Sequence, residues 1–203
     1  MGNSEVSRLM GVIKEPWWKV WVTRGKREQA AQELVKLGKE AVPALIKQYK
    51  EDPAPYGLLY ESLVKLGEFS ATSLVESAEK TLDPAEMQKL AAVFEEMGPS
   101  ARVAIPLLLK WARLRKDPRR EMMRHLTGNA ALDHGISQAI GLPSESPMEL
   151  TVFTWVRQAA VAALIKTGSA LAPHIGELQT LRKNETDEIC RDRLDRAIKA
   201  AGG

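Results

Sequence analysis

Apolar residues recur along this chain at helical rather than strand spacing. Val6, Leu9, Met10 and Ile13 hold an i, i+3, i+4, i+7 stripe, and Ala30, Ala31, Leu34 and Leu37 hold another. Leu59, Leu63 and Leu66 continue the pattern, as do Leu90, Val93, Phe94 and Met97. A helix that buries one face needs this spacing. Denser apolar runs lie between the stripes, at 41–46 (AVPALI) and 104–109 (AIPLLL), and predict a second helix after each first one. Only 150–156 (LTVFTWV) has strand propensity. Helix signals flank it, so it is read as the first half of a long helix.

Glycine and proline punctuate these elements. Gly38, Gly67, Gly98, Gly128, Gly168 and Gly202 are 29, 31, 30, 40 and 34 residues apart. Each follows an apolar stripe, where a helix ends most cheaply in a left-handed glycine. Asp52-Pro53, Asp83-Pro84, Asp117-Pro118 and Ser146-Pro147 alternate with them. In each pair an Asp or Ser oxygen can accept from the free N–H groups of a helix start, and proline suits the first turn. Glu86 and Glu149 stand where a capping box would place a glutamate. Pro43 and Pro173 share a five-residue offset from the preceding glycine. The chain therefore reads as helix, glycine turn, helix, capped turn, repeated.

At Arg27-x-x-Ala30-Ala31-x-x-Leu34-x-x-Leu37-Gly38-x-x-Ala41-Val42-Pro43-x-Leu45 the chain closely resembles the HEAT-like repeats first named from phycobilisome lyases. Arg157-x-Ala159-Ala160-Val161-x-Ala163-Leu164-Ile165-x-x-Gly168 resembles the same consensus, as does the half-repeat 194–202. The resemblance covers residues 24–202 and is weakest around Gly128, where Met123, Arg124 and His125 make a poor stripe. It implies an all-α fold, a right-handed α-solenoid of about five helix pairs in one domain, 1–203. The pairs are expected near 24–50, 53–81, 84–116, 118–141 and 147–183. Cap helices are expected at 1–23, with a helix opening at Pro16, and at 185–203. Stacking neighbours would bury one continuous core. In similar proteins the second helices line a concave surface that holds a partner.

Composition narrows the class. The chain has 203 residues, 44% of them hydrophobic, which is enough for a substantial core without covalent staples. Its one cysteine cannot form an internal disulfide, which excludes a disulfide framework. No apolar run approaches the ~18 residues of a membrane span, and the N-terminus has no signal-peptide pattern. Met1-Gly2-Asn3-Ser4-Glu5-Val6 resembles a myristoylation start but has Val6 where Ser or Thr belongs. A cytoplasmic protein is expected.

Charge is uneven beneath a net +3. Residues 1–50 carry ten basic and five acidic side chains, and 51–100 carry three and ten. Within 102–124 stand Arg102, Lys110, Arg113, Arg115, Lys116, Arg119, Arg120 and Arg124 against Asp117 and Glu121. This is either a patch for phosphates or an acidic partner, or a set of cations completing helix ends. The acidic second repeat weighs against a continuous nucleic-acid groove. Trp17, Trp18 and Trp21 crowd one turn among basic residues. They either close the end of the core or expose an interface, since Trp with Arg is typical of hot spots. Trp111 and Trp155 are expected in the core.

Reaction chemistry is sparse. Cys190 has no histidine near it in sequence and reads as a spectator thiol. His125, Asp133 and His134 match no zinc or triad spacing. The His-Glu pairs of HEAT-repeat deoxyhypusine hydroxylases are missing, and no cofactor or metal is expected. The expected function is a non-enzymatic scaffold that binds a protein partner along the concave face. Its candidate contacts are Trp17, Trp18, Trp21, Lys110, Arg113, Arg115, Lys116, Arg119, Arg120 and Arg124. The alternative is nucleic-acid binding through 102–124, in the manner of the HEAT-like alkylpurine DNA glycosylases. A bilin lyase or its chaperone is suggested only by the repeat's name. The chain is expected to be a monomer or an end-to-end dimer through the tryptophan turn.

Overall fold

A computed structural model describes residues 2–14, 20–51, 57–114 and 147–202, and among them the regular structure is entirely helical. The elements are α1 (Gly2–Ile13), α2 (Val20–Lys36), α3 (Val42–Glu51), α4 (Leu58–Leu66), α5 (Glu68–Ala78), α6 (Pro84–Met97), α7 (Ile105–Ala112), α8 (Pro147–Thr167), α9 (Ile175–Asn184) and α10 (Glu188–Ala200). Short 3-10 turns, Gly38–Glu40, Gly98–Ala104 and Gly168–His174, precede α3, α7 and α9.

The glycine punctuation holds. Gly38, Gly67, Gly98, Gly168 and Gly202 all have positive φ, between 51° and 92°. Gly128 lies outside the described residues. An alanine would be strained at these φ values, and two of the turns also sit close to the next element. A β-carbon at Gly67 would lie 3.5 Å from Ser100 Oγ, and one at Gly98 would lie 3.5 Å from the Lys166 carbonyl.

Asp83 caps α6 as expected, accepting from the Ala85 N–H at 3.3 Å. The capping box at this turn does not close. Glu86 instead accepts from the Thr81 hydroxyl at 2.6 Å and pairs with Lys50 on α3. The five-residue glycine-to-proline offset also misleads. Pro43 is the second residue of α3, whereas Pro173 lies inside the 3-10 turn that precedes α9. The cap sites Asp52-Pro53 and Asp117-Pro118, Ser146 and the Pro16 helix start all lie outside the described residues.

Packing follows the order of first helices. α2 lies on α4, α4 on α6, α6 on α8 and α8 on α10, while α3 lies beside α5. The buried stripes are largely those read from the sequence, with Leu34, Leu45, Leu63, Leu74, Leu90, Phe94, Leu108 and Leu164 all inaccessible to solvent. α1 closes one end, burying Val6, Leu9, Met10 and Ile13 against α2 and α3. α10 closes the other, burying Cys190, Leu194 and Ala197. The outward sides of both are polar. Arg8 pairs with Glu5 at 2.6 Å, and Arg196 pairs with Asp192 at 2.7 Å.

The junction between the third pair and the last is direct. α8 packs directly on α6 and α7, and the Gly98 turn rests beside Lys166 at the end of α8. The residues of the expected fourth pair lie outside the described ones.

Candidate interaction surface

The second helices α3, α5, α7 and α9 carry two shallow grooves. One, of about 430 Å³, is lined by Pro43, Ile46, Lys47, Lys50 and Glu51 of α3 and by Ser77 of α5. The other, of about 450 Å³, is lined by Arg113 at the end of α7 and by Gly176, Glu177, Thr180, Leu181 and Asn184 of α9. Helical periodicity makes both. Leu45, Ile46 and Tyr49, and likewise Leu178 and Leu181, turn inward, which leaves the polar residues between them on the outer face. Each groove has an apolar floor and polar walls.

An ion pair crosses the second groove, and a hydrogen bond crosses the first. Arg113 pairs with Glu177, which also meets His174 Nδ1 at 3.3 Å. Hydrogen bonds from His174 and Arg113 hold the Glu177 carboxyl below the usual range. Lys50 pairs with Glu86 and donates to Ser77 at 3.3 Å. Beneath it, the Tyr49 hydroxyl donates to the Lys89 carbonyl at 3.2 Å, and Lys89 returns a bond to the Tyr49 carbonyl at 3.3 Å. These contacts tie α3 to α6.

A buried polar clasp supports the second groove. Arg157 of α8 and Glu185, in the turn before α10, are both almost fully buried and meet at 3.3 Å. Arg157 also donates to the Leu114 carbonyl at 3.1 Å and the Thr154 hydroxyl at 3.2 Å. Glu185 accepts from the N–H groups of Thr186 and Asp187 at 2.9 and 3.0 Å. The clasp thus joins the end of α7, α8 and the start of α10. The sequence marked Arg157 through its consensus position, but nothing in the local pattern pointed to Glu185 as its partner.

The expected contact residues divide. Lys110 and Arg113 lie exposed on and just after α7, and Arg113 borders the second groove. Arg102 pairs with Glu68 at 3.1 Å. Two of the basic residues of 102–124 therefore carry acidic partners. Arg115, Lys116, Arg119, Arg120 and Arg124 lie outside the described residues, as do Trp17, Trp18 and the side chain of Trp21. His125, Asp133 and His134 also lie outside them.

Trp111 is buried, but Trp155 is 50% exposed, against expectation. It follows Phe153 by two residues, about 200° around the helix, so it faces away from the stripe of Phe153, Val156, Ala160 and Leu164. Ile189 occupies the same register, 13 residues before its turn glycine as Trp155 is before Gly168, and is 52% exposed. Burial pushes the Cys190 thiol up to about 12, helped by the Glu185 and Asp187 carboxylates. A thiol held protonated is a poor nucleophile.

Among the described residues, no group of three His, Cys, Asp or Glu is placed to hold a metal, and no helix is long and apolar enough to cross a membrane. No protein-family model matches the sequence, and no curated protein or solved structure matches it.

Proposed function

We propose that the protein is a HEAT-like α-solenoid scaffold that holds a protein partner along the face formed by its second helices. The observation that carries this reading is the pair of grooves between consecutive second helices, on a stack whose described ends are closed by polar helix faces. Apolar floors flanked by Lys47, Thr180 and Asn184 suit a peptide or helix that lays side chains into a groove and meets polar groups at its rim. The consensus positions at Arg27, Gly38, Arg157 and Gly168, and the serial packing of first helices, support the solenoid reading.

The test is capture of a partner from the source cells by the wild type and by groove variants. Thr180→Arg and Lys47→Glu alter exposed side chains and should leave the fold intact. Loss of the same protein from both variants, with retention by Trp155→Ser, supports the second-helix face. An identical set of proteins retained by all four contradicts it. DNA binding that falls steeply between about 50 and 200 mM salt would also contradict it, because that dependence marks neutralised phosphates.

A further inference from the structure

We propose that Lys14, Arg27 and Gln48 form an anion site that takes a single carboxylate group, a function separate from the second-helix grooves. The three residues come from the end of α1, from α2 and from α3. With Ile13, Leu58 and Leu59 they line a cavity of about 60 Å³. That is several times the ~10–15 Å³ needed for one water, so it admits a carboxylate but not a nucleotide or a folded segment.

Two polar atoms there are unsatisfied. Among the described residues, Nε of Arg27 and Oε1 of Gln48 are buried without a hydrogen-bond partner. Turning the Gln48 amide exchanges its oxygen for an NH2 group, since the two orientations differ only by that assignment. Arg27, Gln48 and Lys14 thus bring an unpaired Arg N–H, an amide and a cation to the walls of one cavity, with no acidic residue among its described lining.

The molecule itself shows what an arginine at this position binds. Arg27 and Arg157 occupy corresponding places, three residues before Ala30 and Ala160, and Arg157 grips the Glu185 carboxylate through Nε and Nη2. Arg27 has the same fork and no such carboxylate among the described residues. A planar guanidinium beside a second cation is matched to a carboxylate's two oxygens.

Thermal unfolding of the full chain with sodium acetate, against sodium chloride at equal ionic strength, tests this. A saturable rise in Tm is expected, roughly 3–6 °C at ten times the Kd. It should vanish in Arg27→Gln and need several-fold more acetate in Lys14→Gln, whose exposed side chain can change without disturbing the fold. N-acetyl-glutamate amide separates the sources: an equal shift points to a partner's acidic side chain, and a shift with acetate alone points to a small free acid. An equal rise with chloride, no saturable rise, or a rise unchanged in both variants would overturn the proposal, leaving the cavity to water.

Discussion

Asp187 combines capping with charge at one residue. Its carboxylate accepts from the Cys190 N–H at 2.8 Å and from the Gln158 amide at 3.1 Å. Burial opposes ionisation, yet these hydrogen bonds outweigh it and hold the carboxyl below its ordinary value. A lowered folded value means the stabilisation is complete above the unfolded pKa of about 4 and is lost as pH falls through the folded one. Asp187→Ala should therefore cost about 1 kcal/mol near neutral pH in chemical denaturation. The difference from wild type should shrink in acid, while Asp187→Asn keeps most of the cap without the titration. Glycines allow a paired check by the same measurement. Gly98→Ala should lose about 1–3 kcal/mol from its backbone alone, since φ 55° and ψ −127° suit only glycine and its β-carbon would make only ordinary contact. Gly25→Ala, inside α2 with open space around it, should gain about 0.5–1 kcal/mol. Turn glycines such as Gly98 were legible in the sequence because they close an apolar stripe. Trp155 was not, because α8 is apolar on several sides and two residues of offset decide which way a side chain faces.

At the scale of elements, packing and not propensity settles the form of α8. Its β-rich stretch 150–156 is helical, as its flanking helix signals implied. Phe153 and Val156 are buried there, so tertiary contact offsets their weak intrinsic preference for helix. The differing 3-10 turns before α3, α7 and α9 were not legible, because a glycine marks where a helix stops and not how soon the next begins. Long-range partners were equally hidden. Glu86 leaves its capping box for Lys50, and Glu185 reaches an arginine 28 residues away. Removing one member of a buried pair strands the other, so Arg157→Met should cost about 3–5 kcal/mol in equilibrium unfolding. Arg157→Lys should fall between it and wild type, because it keeps the charge but loses the fork on Glu185 and the bonds to Leu114 and Thr154. A loss under about 1 kcal/mol for Arg157→Met would show that the pair is solvated.

At the scale of the whole molecule, the junction between α6 and α8 was the least legible feature. Glycine spacing marked where helices end but not that α8 rests on α6 and α7 directly. The second groove depends on this, since Arg113 reaches Glu177 only because α7 and α9 are neighbours. Whether α6 and α8 join without help from residues 115–146 can be tested by replacing that segment with about twelve Gly/Ser residues. Arg157 already holds Leu114, and the turn of α8 back to Pro147 spans about 15 Å. Twelve residues reach about 40 Å when extended, enough to close the gap. The measurement is cooperative thermal unfolding followed by far-UV circular dichroism. If the stack is continuous across the junction, the shortened chain keeps one sharp transition within a few degrees of the full-length protein. Loss of cooperativity, or a separate early transition for α8 to α10, would contradict it and with it the second-helix surface.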